Sequence, residues 1–204
     1  MMATMRSLAA AVLAWLAVGT AAAGPIPYPD SGTQNPVQYT FTAAATGDVT
    51  AYFFGSNAGY TNELTMLVNG VATGIQGLNN HSSAIGDFLV LGSVNAGDVI
   101  VFVMVNITPG NVGPWYSDAS MNADGGNHIY STDFAGNGTV PAGTYVGFED
   151  LDFRSGSDFN YTDETFVFTN VRLSTGGGQL PEPATLALAG LALVGAGMAR
   201  RRKA

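Results

Sequence analysis

The chain has 204 residues, no cysteine and a formal net charge of −8. Without thiols it has no disulfide staple, no thiolate metal site and no cysteine nucleophile. Its acidic balance repels nucleic acid and anionic lipid and attracts cations, which excludes nucleic acid as a partner.

Arg6 is the only charge before an apolar run from Leu8 to Val18, and Ala21-Ala22-Ala23 follows. A cationic start, a short apolar core and small residues at the cut make residues 1–23 a secretory signal peptide, cleaved after Ala23. The apolar core is too short for a permanent span. Without this segment and the tail, about 155 residues remain, enough for one domain with a real core. Between Gly24 and Leu180 only Arg154 and Arg172 face 14 acidic residues, a net charge of −12.

The domain, residues 24–175, opens on a leader that holds Pro25, Pro27 and Pro29. These fix extended backbone and remove donors that a central strand would need. Strand signals begin where Val37, Tyr39 and Phe41 alternate with polar residues. Further strands are expected over Val49 to Phe54, Glu63 to Val68, Phe88 to Val94 and Val99 to Ile107. The set is completed by Ile129 to Asp133, Thr144 to Phe148 and Thr165 to Leu173. Asn69-Gly70 reads as a tight turn, because both residues tolerate positive φ. No stretch of the domain shows a long 3.6-residue apolar period. Short strands punctuated by Gly, Asn and Asp predict an all-β fold, an antiparallel β-sandwich of jelly-roll-like topology. Residues 176–180, with Gly176-Gly177-Gly178, form a flexible linker.

The carboxylates gather in two places. One group is Asp118, Asn122 and Asp124, followed by His128; the other is Glu149, Asp150, Asp152, Asp158, Asn160 and Asp163. Such residues repel one another on a Gly-rich loop unless a cation sits among them, and calcium takes six to eight oxygen ligands of this kind. The alternative is a set of solvated turn residues, since Asp and Asn are common in β-turns. Asp158 and Asn160 are spaced like the start of an EF-hand loop, but the Gly and the bidentate Glu are missing from their positions.

Gly147-Phe148-Glu149-Asp150-Leu151, then Asp158-Phe159-Asn160-Tyr161-Thr162-Asp163 and Phe166-Val167-Phe168, resemble the closing motif of a bacterial exported domain of unknown function. That motif runs G-F-E-D-L, a Gly-rich gap, D-x-D-Y-N-D and an apolar strand. Tyr116-Ser117-Asp118, Asn122-Ala123-Asp124-Gly125 and His128 are similar to its middle motif. The resemblance implies a β-rich surface module that binds calcium, with Asp118, Asn122, Asp124, Glu149, Asp150, Asp158, Asn160 and Asp163 as candidate ligands. Asn160 stands where the motif has Asp, Thr162 where it has Asn, and one residue is added before the last strand. Each lost carboxylate weakens cation binding.

Catalytic signatures are missing from the sequence. His81 and His128 lie outside any His-Glu-x-x-His pattern, and there is no Gly-x-Ser-x-Gly elbow, phosphate loop or dinucleotide fingerprint. Glu149 and Asp150 are neighbours on an extended chain and point to opposite faces, so they are a poor glycosidase pair. Trp115-Tyr116 after Pro114 reads either as an aromatic pair that stacks on sugar rings or as a plug at the end of the sandwich.

The tail runs Pro181-Glu182-Pro183, an uncharged apolar stretch from Ala184 to Ala199, then Arg200, Arg201, Arg202 and Lys203. Sixteen apolar residues make roughly 24 Å of helix at ~1.5 Å per residue, short of the ~20 residues a permanent anchor needs. The basic cluster belongs on the cytoplasmic side. Residues 181–204 resemble the PEP-CTERM sorting signal of Gram-negative bacteria. That resemblance implies export through the Sec translocon, transient anchoring in the inner membrane and cleavage by an exosortase near Pro181–Pro183. It also implies delivery to the envelope or the extracellular matrix. The expectation is a non-enzymatic structural or adhesive protein associated with exopolysaccharide, with calcium as cofactor. A carbohydrate-binding module and a secreted hydrolase are the alternatives.

Overall fold

The computed structural model describes residues 24–110 and 113–175. The expected signal peptide, the Gly-rich linker and the sorting tail lie outside the described residues. Eleven strands form among those residues. In order they are β1 (Tyr39–Ala43), β2 (Gly47–Gly55), β3 (Asn62–Val68), β4 (Val71–Gly77), β5 (Phe88–Val94) and β6 (Val99–Asn106). They continue as β7 (Trp115–Tyr116), β8 (Ile129–Phe134), β9 (Gly143–Phe148), β10 (Glu164–Thr169) and β11 (Val171–Thr175). The only helical pieces described are two 3₁₀ turns, Ala119–Met121 and Phe153–Ser155.

Two antiparallel sheets result. One has the order β11-β1-β6-β3-β4, with β7 paired to β6, and the other has the order β5-β2-β10-β9-β8. The period of two along each strand decides what lies between them. Val49, Ala51 and Phe53 on β2, and Phe166 and Phe168 on β10, turn inward and are buried. They meet Leu64 and Met66 of β3 and Ile100, Phe102 and Met104 of β6 in one core. The Phe102 ring stacks on Phe168 with centroids 3.6 Å apart, and Phe41 meets Phe102 edge-on at 5.2 Å. Each buried aromatic ring removes on the order of 150–250 Å² from water, which gives a cysteine-free domain its cohesion.

The outer face of the second sheet is covered as well. Phe54, Tyr145 and Val167, out of phase with the inward residues, are buried with Val140, and Ile26 from the leader packs on them. Tyr28 lies against Tyr130 at 5.2 Å and Tyr161 at 4.9 Å. The proline-fixed leader is therefore a strap laid across the sheet.

The expected antiparallel sandwich is present, with differences in its wiring. The chain crosses repeatedly between sheets from β1 to β6, as in a jelly roll, but β8, β9 and β10 form a meander within one sheet. The strand expected over Thr165 to Leu173 is two strands in different sheets. Asn170 breaks it at φ 61°, and its amide accepts from the Ala45 N–H at 2.9 Å and donates to the Ala45 carbonyl at 3.0 Å. One side chain thus ties the β10–β11 corner to the β1–β2 corner. β4 was not expected, because it lies at a sheet edge with Val71 exposed and none of its residues buried. The turn before it has the expected positive φ at Asn69 and Gly70.

Asn170→Ala removes two hydrogen bonds and leaves, at a left-handed φ, a side chain without the polar group that makes that backbone tolerable. It should lower stability by about 2 kcal/mol, measured as the urea unfolding midpoint of the full chain in mild detergent. Asn170→Gly restores only the conformational share.

Candidate functional site at the acidic end of the sandwich

β2, β6 and β9 end, and β3 and β10 begin, at one end of the two sheets. The carboxylate-rich loop between β9 and β10 closes this end. Gly147, opposite Thr165 in the ladder, permits that closure, because a β-carbon there would sit 2.1 Å from the Tyr161 carbonyl oxygen. Tyr161 is buried in the left-handed region at φ 56°. Its N–H donates to the Glu149 carboxylate at 2.6 Å, and the Ser157 hydroxyl donates to the other oxygen of that carboxylate. The Tyr161 hydroxyl accepts from the Asn35 N–H at 2.7 Å and donates to the Asn127 carbonyl at 3.3 Å. Glu149 thus serves the loop as an internal anchor.

Asp150 joins the two sheets. Its N–H donates to Asp163 at 2.8 Å, its carbonyl accepts the Trp115 indole N–H at 2.8 Å, and its carboxylate accepts the Asn62 amide at 3.0 Å. Burial is the first cause of the electrostatics here. It raises the Glu149 carboxyl against the pull of Ser157 and Tyr161. It pushes Asp163 up to about 8, with repulsion from Asp150 and Glu149 added. It drives Glu164 well above the carboxylate range, with Glu63 and Asp150 adding to the effect.

The first acidic group builds a latch beside this loop. His128 is buried, with Nε2 2.8 Å from an Asp124 oxygen and Nδ1 3.0 Å from the Glu149 carbonyl oxygen. Both ring nitrogens face acceptors, so both donate when the ring is an imidazolium. The ring stacks on Trp115 with centroids 3.8 Å apart and planes 11° from parallel. Asp124 also accepts from Gly126 and Phe153. Burial opposes its ionisation, but these donors and His128 outweigh burial and hold its carboxyl below the usual range.

The sequence-derived candidates therefore take separate places. Asp118 caps a 3₁₀ turn by accepting from Ser120, and Asn122 pins Tyr116 and the Gly126 carbonyl. Asp158 bonds Asn160, and Asn160 bonds Thr162, in successive turns. Among the described residues, no group of three or more His, Asp or Glu side chains is gathered as metal ligands are. Of the expected set, Asp150 is bonded to Asp163 and Asp158 to Asn160, as two separate pairs. The sugar-stacking reading of Trp115 is corrected: the ring is 2% exposed, plugs the sandwich end and is already stacked on His128. Tyr116 is half-buried beside it.

Asn62 and Glu164 are the site residues that the acidic motifs did not reveal. Both are fully buried. A signal was present in their phase: Asn62 is in step with inward Leu64 and Met66, and Glu164 with inward Phe166 and Phe168.

Residues 179–203 match the PEP-CTERM protein-sorting motif. The chain carries a PEP-CTERM sorting signal. The match begins two residues before Pro181 and takes in the apolar stretch and the basic cluster. It implies an exported protein, anchored transiently in the membrane and processed by an exosortase. No curated protein and no solved structure matches the chain.

In the PEP-CTERM chain, Asp124→Asn keeps the shape of the latch and removes its charge. Near neutral pH it should cost about 2 kcal/mol in urea unfolding, the value of a hydrogen bond to a charged group. Asp124's folded value is depressed, so its contribution is present above the unfolded value of ~3.9. That contribution is lost as pH falls through the folded value, and the gap between wild type and variant should close in acid.

Proposed function

We propose that this exported protein is a non-catalytic structural or adhesive module of the cell envelope or its exopolysaccharide matrix, with calcium bound at its acidic end. The observation that carries the reading is the sorting motif, joined to a sandwich whose polar side chains hold its own loops. Both histidines support a structural role. His128 is committed to Asp124 and the Glu149 carbonyl, and His81 lies 3.3 Å from both the Thr61 hydroxyl and the Ala58 carbonyl. The net charge of −12 across Gly24 to Leu180 favours cations over anionic partners. A second reading, carbohydrate binding, gains support from the outer face of the second sheet. There Phe88 is 64% exposed, with the Tyr52 ring 5.8 Å away.

The sorting part has a direct test. Mass spectrometry of the surface form should find no peptide beyond the Pro181–Pro183 region, and an intact Arg200–Lys203 terminus there would contradict it. Neutralising Arg200, Arg201, Arg202 and Lys203 should cause missorting, because the stop at the membrane face is electrostatic. Co-sedimentation of the exported protein with the producer's exopolysaccharide separates the two binding modes. A loss on Phe88→Ala favours the carbohydrate module, and unchanged co-sedimentation favours the structural one.

A further inference from the structure

Glu164 opens β10 opposite Phe148 and points between the sheets, in phase with Phe166 and Phe168. It is 0% exposed, and neither of its carboxylate oxygens has a hydrogen-bond partner. Asn62, which opens β3, faces the same inter-sheet space; its amide N–H reaches Asp150, while its carbonyl oxygen is also unpartnered. Asp150 and Glu164 feel each other's charge. Three buried acceptor oxygens therefore stand beside a second carboxylate, with no donor on any of them. A buried polar group left unpaired carries its full desolvation penalty, which is larger still for a charged one. The Asn106 amide N–H, on the residue paired with Asn62 in the ladder, is an unpartnered donor, but it could serve only one of the three acceptors. A proton on Glu164 would likewise supply a single donor. A cation can serve all of them together.

We infer that the space between the two sheets at this end binds a divalent cation of the calcium class, held by Glu164, Asp150 and the Asn62 side-chain oxygen. This deepens the calcium reading proposed above by placing the ion inside the sandwich, on residues outside the exposed turns at Asp158 and Asn160. The donor set is all oxygen, from two carboxylates and an amide. Calcium accepts this mixture with flexible geometry and completes its shell with water or backbone carbonyls, whereas magnesium demands a tight octahedron. The neighbouring imidazole, His128, is engaged at both nitrogens, which leaves no soft ligand for a transition metal. Trp115 lies close to the ion, since its indole N–H bonds the Asp150 carbonyl.

That proximity supplies the test. Trp115 is the sole tryptophan after Ala23, so terbium(III) bound in this space should luminesce when the indole of the exported protein is excited, and calcium should compete it away. Glu164→Gln should weaken both ions at least about tenfold, because ligand charge sets affinity at such sites, while Asp158→Ala leaves both unchanged. In chelator, Glu164→Gln should melt at or above wild type, since a neutral amide is easier to bury than a carboxylate; this shows that the variant is folded. Wild-type affinity in Glu164→Gln would overturn the inference. If Asp158→Ala loses binding and Glu164→Gln keeps it, the ion sits in the loop, and only the inter-sheet placement falls. If wild type shows no saturable binding, the broader calcium reading falls with it.

Discussion

The Glu149 carboxylate receives the Tyr161 N–H at 2.6 Å and the Ser157 hydroxyl, and the closing loop of the domain hangs on those two bonds. Tyr161 can reach Glu149 only because Gly147 has no side chain and Tyr161 itself adopts a left-handed backbone. Once seated, its hydroxyl holds Asn35 and Asn127, and its ring packs on Tyr28. The leader, the start of β8 and the β9–β10 loop are thereby fixed through one buried side chain. A carboxylate has the right chemistry for this task, because hydrogen bonds to a charged acceptor are worth about twice those to a neutral one. Burial raises the Glu149 carboxyl, and its two donors counteract that rise.

The same end of the molecule concentrates carboxyl groups that have few basic side chains to meet. Arg154 is spent on Asp152 at the surface, at 3.0 Å, and His128 on Asp124. The Asp150 carboxylate accepts only the Asn62 amide and that of Asp163 the Asp150 N–H, while the Glu164 carboxylate has no hydrogen-bond partner. The rest of the fold is aromatic and aliphatic, with rings joining the sheets within and the leader strapped on without. A protein that is exported and processed at the membrane, as the PEP-CTERM motif implies, must hold its shape outside the cell, and here it does so without a disulfide. In this account the apolar core supplies the cohesion, and the acidic end is where the environment can act on the fold.

Much of the sandwich was legible because burial imposes a period of two. β5 falls on the expected Phe88 to Val94, and β6 and β9 differ from expectation by one residue at one end. What sequence pattern missed has physical causes. β4 is an exposed edge strand interrupted by Gly74, and β7 is only two residues long. The break at Asn170 left a mark in the sequence, since the apolar phase moves from Phe166 and Phe168 to Val171 and Leu173 across it, and the two halves lie in different sheets. The acidic end was legible as a cluster but not as an arrangement. Asp158 and Glu149 look alike in a list of carboxylates, yet one lies in a surface turn and the other is buried. Trp115 read equally well as a sugar platform or a plug; the partner that decides, His128, lies 13 positions away in sequence.

Native-state hydrogen exchange tests most directly whether Glu149 closes the domain. The Tyr161 amide should exchange as slowly as the central amides of β10, because releasing it requires the buried carboxylate to let go. Glu149→Gln should speed exchange across residues 157–161 while leaving β3 and β6 protected. A Tyr161 amide that exchanges in wild type as fast as the surface turn at Asn160 would contradict the account.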